Sequence, residues 1–159
     1  MTITLKTKSI DSSFSASLAK LSSLDKDTEE ALKEIGNAFA ALVTDQFKTS
    51  TDPFGRGWIP LSKRRSRVKQ RRGFTNQPLV ATGRLSRSFT SAVTPKRLEF
   101  GSDRTFSKGI TAADHQVGFN NADGTRTPPR AMLPLLGSTL PPLWDRAIEA
   151  AFLNLVRKL

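Results

Sequence analysis

His115 is the only histidine in the chain, and there is no cysteine. Those two facts remove much of the available covalent and metal chemistry. No thiolate nucleophile and no Cys-ligated metal site can be assembled. A zinc site would need His115 plus carboxylates alone, an unusual donor set. A Ser-His-Asp triad would have to use His115 as its base, and the serines come without a Gly-x-Ser-x-Gly elbow. No Gly-x-x-x-x-Gly-Lys loop is present to cradle phosphates. His115 therefore reads as a structural histidine bonded to a backbone carbonyl. No enzyme, catalytic residue, metal or cofactor is expected. The enzyme alternative is a nuclease with His115 as base, but paired carboxylates are scarce where its basic surface would want them.

The chemistry that the residues do support is electrostatic. Lys63-Arg64-Arg65-Ser66-Arg67-Val68-Lys69-Gln70-Arg71-Arg72 carries seven cations in ten residues and no acid. So many like charges cannot share a core, because each unpaired buried charge costs several kcal/mol. The formal net charge is +11, and it is uneven. Residues 52–108 hold fourteen cations and three acids, so the rest of the chain, with eleven of each, is neutral. Such a field steers the protein towards polyanions and fades with salt. The bland reading is a solvated loop that aids solubility. The run has no aromatic residue inside it. That argues against base stacking and for contact with a nucleic-acid backbone or an acidic surface.

The 159 residues fit one domain spanning 1–159. There is no apolar run of bilayer length, and Met1–Lys6 lacks the apolar stretch of a secretory signal. The absence of cysteine fits synthesis in a cytosol.

Several elements must position the basic run. Ile10, Phe14, Leu18, Leu21 and Leu24 have helical spacing, and Ile3 and Leu5 suit a short strand. Leu32, Ile35, Phe39, Leu42, Val43 and Phe47 predict a helix over about 27–48, with Asp25 or Asp27 as its cap. Residues 49–78, rich in Gly and Pro, read as a long, mobile loop. Leu79–Phe89 reads as a short helix starting near Thr82 or Gly83. Residues 91–101 read as a strand pair around Pro95-Lys96, and 111–119 as a short helix or turn. Asn120–Gly124 suits a hairpin tip and Thr127–Pro134 an extended segment. Pro141-Pro142 opens a last helix with Trp144, Ile148, Phe152, Leu155 and Val156 on its apolar face. The result is an α+β fold: an antiparallel sheet packed with a long helix in the N-terminal half and a C-terminal helix, with the basic loop between.

Five fragments in order carry a resemblance. They are Asp52-Pro53-Phe54-Gly55-Arg56-Gly57-Trp58-Ile59-Pro60-Leu61, Leu79-Val80-Ala81-Thr82-Gly83-Arg84-Leu85-Ser86-Arg87-Ser88, Leu98-Glu99-Phe100-Gly101-Ser102, His115-Gln116-Val117-Gly118 and Pro128-Pro129-Arg130-Ala131-Met132-Leu133-Pro134-Leu135. Together they resemble the phage virion-morphogenesis, or tail-completion, family over about residues 10–155. There are two departures. Ala112-Ala113-Asp114 lacks the family's Tyr before His-Gln, and Pro128–Met132 replaces a Pro-Ala-Arg-Pro-Phe pattern.

The resemblance implies a structural protein of a tailed phage, with assembly in a host cytoplasm expected. It would form a closed ring at the head–tail neck, commonly hexameric, completing or terminating the tail and joining it to the head. Its partners would be further copies of itself, tail tube or sheath proteins and head connector proteins, with DNA passing along the axis. On that reading Trp58 and Leu61 anchor the base of the long loop. Arg84, Arg87, Gln116 and Arg130 lie at a subunit or partner edge. Lys63, Arg64, Arg65, Arg67, Lys69, Arg71 and Arg72 meet an acidic neighbouring ring or DNA, with the protein partner favoured. The alternative is a stand-alone nucleic-acid-binding protein using residues 63–72.

Overall fold

The computed structural model describes residues 3–4, 25–94, 96–106, 109–135 and 139–158. The helix expected over 10–24 lies outside the described residues. The fold is α+β. Helix α1 runs Asp25–Thr49, α2 Lys63–Arg71, α3 Ala112–Val117 and α4 Pro142–Lys158. Strands β1 (Ile3–Thr4), β2 (Thr90–Thr94) and β3 (Arg97–Gly101) form one antiparallel sheet in the order β1-β3-β2. A second, two-stranded hairpin pairs β4 (Phe119–Asn120) with β5 (Arg126–Thr127). Among the described residues no helix is long and apolar enough to cross a membrane.

Periodicity explains α1. Ala31, Ile35, Phe39, Val43 and Phe47 recur at helical spacing, and all are buried. Asp27 falls inside the first turn of this helix, not ahead of it. The stripe lies against α4 and the sheet. Phe39 is central: its ring centroid lies 4.4 Å from Trp144 and 5.7 Å from Phe100. Phe47 continues the aromatic layer to Trp58 at 5.3 Å and Phe89 at 6.2 Å. Each such side chain contributes about 1.5–3 kcal/mol by leaving water. Gly36 lets α1 approach the sheet, since a Cβ there would lie 2.8 Å from Ser91 Oγ.

From α4, Trp144, Ile148, Phe152 and Leu155 enter this core together with Ala151, whereas Val156 is exposed. The strand pair β2–β3 has the expected turn, with Thr94 opposite Arg97 and Thr90 opposite Gly101.

Two expectations are corrected. First, Leu79–Phe89 does not form a helix beyond a 3-10 turn at Ser86–Ser88. Leu79 and Gly83 both have positive φ, which interrupts helical backbone. The Ser86 and Ser88 hydroxyls then donate to the carbonyls of Gly83 and Leu85, a local competitor of the helix. Leu85 and Phe89 still reach the core. Second, the 49–78 stretch is not wholly loop, because the basic run within it is helix α2.

Candidate functional site: a basic helix and the clasp beneath it

The chain leaves α1 through Ser50, whose φ of 57° ends the helix, and turns back on itself. Asp52 Oδ1 accepts from the N–H groups of Phe54 and Arg56, both at 2.8 Å, and Trp58 N–H donates to Ser50 O at 2.7 Å. This Asx-type turn returns Trp58 to the core. Its ring packs edge-on against Phe47, and its Nε1 donates to Ala131 O at 2.8 Å.

Helix α2 follows. Ser62 caps it, Oγ accepting from Arg65 N–H at 3.3 Å. Arginine and lysine favour helix by propensity. Like charges at i,i+3 and i,i+4, such as Arg64–Arg67 and Arg67–Arg71, oppose it by about 0.2–0.5 kcal/mol a pair. Lys63, Arg64 and Arg65 also sit at the positive end of the helix dipole, with no acid in the first turn. Tertiary contacts offset this. Lys69 Nζ donates to Gln77 O at 2.6 Å and to Val80 O, and Ser66 Oγ donates to Asn76 Oδ1 at 2.8 Å. Burial, with a smaller push from the Arg130 charge, lowers the Lys69 pKa from its ordinary value.

Ser66 and Lys69 therefore define the inward face of α2. Arg64, Arg67 and Arg71, at i, i+3 and i+7, share the opposite face and are exposed. Lys63, Arg65 and Arg72 are exposed too, and Val68 is 39% exposed. The tip of the β4–β5 hairpin lies close by. Asp123 is held below the usual carboxylate range first by the Thr125 hydroxyl and N–H, with the charges of Arg64 and Arg65 adding to them.

Beneath α2 lies a clasp of three buried side chains that hydrogen-bond backbone carbonyls or amides. Arg130, 5% exposed, donates from Nε to Ile59 O at 3.0 Å and from Nη2 to Pro60 O at 3.4 Å. Burial lowers its pKa as well. Gln116 Oε1 accepts from Met132 N–H (2.7 Å) and Leu133 N–H (3.1 Å), while its Nε2 donates to Leu133 O (2.5 Å). One amide thus satisfies three backbone groups of the extended 128–134 segment, as a neighbouring strand would. Trp58 closes the clasp at Ala131. Gly118 lets the chain pass: its φ is 79°, and a Cβ there would lie 2.7 Å from Thr127 O.

His115 belongs to this scaffold. Its ring stands between Phe106 and Phe119, with centroids 6.0 and 5.4 Å away. Nδ1 is buried without a hydrogen-bond partner, so that nitrogen makes no bond to a backbone carbonyl. It is the His115 backbone carbonyl that is used, accepting from Arg130 N–H at 2.9 Å. Burial, then the Arg130 charge, lowers the imidazole pKa, and Asp114 opposes them. Asp114 itself completes a capping box with Thr111 at the start of α3, its carboxylate held low first by Thr111 N–H.

Leu61 is half-buried, whereas Arg84 and Arg87 are exposed, Arg87 donating to Thr82 O at 2.9 Å. Among the described residues no group of three or more His, Asp or Glu side chains could hold a metal. A pocket lined by Phe89, Ser102, Ala112, Gln116, Met132 and Leu133 offers about 20 Å³, room for about one water. The structure thus gathers the basic run on one helix. It places Trp58, Gln116 and Arg130 together below that helix, within one chain. Ser66, Asn76 and Gln77 escaped the sequence reading, as did the neighbourhood of Asp123. Only Ser62, a good cap one residue ahead of a run of helix formers, gave a readable signal.

The model of the phage virion morphogenesis family matches residues 8–139. The chain belongs to the phage virion morphogenesis family. No curated protein and no solved structure matches it. Membership gives this virion-morphogenesis protein a role in building the phage particle. It also gives its motifs a physical meaning. Asp-Pro-Phe-Gly-Arg-Gly-Trp is a turn that delivers Trp58, and His-Gln-Val-Gly supplies the amide and the glycine that hold and clear the extended segment.

Proposed function

We propose that this protein completes the tail of a tailed phage as a ring at the head–tail neck, and joins tail to head. The family match over residues 8–139 is the observation that carries this reading. A ring of identical subunits needs a heterologous interface that closes on itself, and six copies is the number we favour. The fold supplies a rigid frame for such contacts. Arg84 and Arg87 are exposed beside the Thr82-Gly83 turn, and Leu61 lies half-buried at the entry to α2. These three are proposed to meet a neighbouring copy, a tail tube or sheath protein, or a head connector protein. Trp58, Gln116 and Arg130 serve the same interface from below, by fixing the 128–134 segment and the 59–60 turn. The role is structural, with no catalytic step and no cofactor.

Light scattering on the purified chain, alone and with tail tube protein, tests the reading. The expected result is a ring mass, either for the chain by itself or on addition of the tube protein. A chain that stays monomeric under both conditions overturns it.

A further inference from the structure

The geometry points to duplex DNA as the partner of α2, with the Arg64-Arg67-Arg71 stripe docked on the phosphate backbone and reading no sequence. This goes beyond the ring proposal and relies on it only for the presence of DNA.

Four observations carry the inference. The stripe is fixed in place before any partner arrives, because Lys69 and Ser66 peg the opposite face of the helix to Gln77, Val80 and Asn76. Docking then orders only the arginine side chains and not the helix backbone. From Arg64 to Arg71 is seven residues, about 10 Å along a helix axis, a reach suited to successive phosphates of one strand. The surface also lacks what a protein partner would use. Protein interfaces use arginine too, but set it around buried aromatic or apolar anchors. On α2 itself the single apolar residue is Val68, set among exposed cations, and the exposed Phe54 and Ile59 lie in the segment before the helix. Without an aromatic residue on α2, base stacking on a single strand has no platform either. Finally, the support under the helix is itself cationic. Lys69 and Arg130 are held by backbone carbonyls and face no carboxylate among the described residues, so their charges add to the outward field.

Such contacts do not arrest DNA. Attraction to phosphates through released counterions is independent of sequence, and proteins held this way slide along the duplex. That suits a surface past which a genome moves.

The test is fluorescence anisotropy of a labelled random-sequence duplex with the full chain over a range of salt concentrations. Each phosphate neutralised contributes about 0.9 to the slope of log affinity against log salt. The R64Q/R67Q/R71Q variant is expected to lower that slope by about 3 and to weaken binding at least about tenfold near ~0.1 M salt. R64K/R67K/R71K keeps the charges and is expected to keep the slope. K33Q/R146Q/R157Q removes as many exposed cations from α1 and α4, and is expected to leave the slope unchanged. Far-ultraviolet circular dichroism establishes that each variant is folded. Three results overturn the inference: wild-type protein that ignores duplex DNA, an equal loss in the α1/α4 variant, or binding of poly-glutamate but not duplex through the same arginines. A monomer that binds DNA through the stripe keeps this inference while sinking the ring, and a ring indifferent to DNA does the reverse.

Discussion

Lys69 Nζ lies 2.6 Å from the backbone oxygen of Gln77, so the one cation of the run that turns inward pegs the helix carrying the others. It also donates to Val80 O. Hydrogen bonds from a charged donor contribute about 1.5–3 kcal/mol, less where water reaches the group, as it does here. Lys69→Met is therefore expected to cost about 1 kcal/mol and to loosen α2. Hydrogen exchange at the amides of residues 66–72 should accelerate, while the amides of α1 keep their protection. Unchanged exchange in α2 would remove Lys69 from this role.

The clasp makes a larger prediction. Gln116→Leu fits the volume but strands two buried N–H groups, those of Met132 and Leu133, and the Leu133 carbonyl. Buried groups left unsatisfied cost about 1–3 kcal/mol each before relaxation. A loss of about 2–4 kcal/mol is expected from urea unfolding, with little change in m-value. A variant as stable as the parent would mean that water or a local shift replaces the amide.

How much of this was legible in the sequence depends on which chemistry faces inward. Helices α1 and α4 announce themselves because Phe39, Val43, Trp144 and Ile148 repeat at helical spacing and bury apolar surface. The β2–β3 pair and the hairpin tip were marked by their turn residues. Helix α2 gave no such signal. Its inward face is Ser66 and Lys69, both polar, so a helix with real tertiary support reads as a charged loop. The clasp was half legible. Gln116 and Arg130 could be picked out as residues that bond backbone groups, but not which groups. Their partners lie 17 and about 70 positions away, and only the fold brings them together.

Gly118 and Gly55 separate two costs that sequence alone confounds. Both have a φ of 79°, but a Cβ on Gly55 meets nothing within 4 Å, whereas one on Gly118 meets Thr127 O at 2.7 Å and Pro129 N at 2.8 Å. Gly55→Ala is expected to cost about 1 kcal/mol from backbone conformation alone. Gly118→Ala meets both a clash with backbone that cannot rotate away and a φ of 79° with ψ of 158°, a pairing almost confined to glycine, and is expected to exceed about 3 kcal/mol. Thermal unfolding of the two variants measures the difference. Equal shifts would show that residue 118 and the 127–129 segment both give way.

The last prediction concerns pH and rests on His115, whose pKa burial pushes down, with the Arg130 charge adding and Asp114 opposing. A histidine with a lowered folded pKa binds its proton more readily in the unfolded chain. Stability linked to His115 is therefore complete above the unfolded value of about 6.5 and is lost as pH falls from there towards the folded pKa. The lowered carboxyls of Asp114 and Asp123 act the same way but lower, their contribution fading only as pH drops below about 4. The His115 contribution starts to fall first, from about 6.5, and those of the two carboxyls only from about 4. Urea unfolding between about pH 7 and pH 5 should show falling stability in the parent chain and a flatter profile in His115→Gln. If both profiles fall alike, the proton is taken up elsewhere, and the unpartnered Nδ1 between Phe106 and Phe119 is open to water.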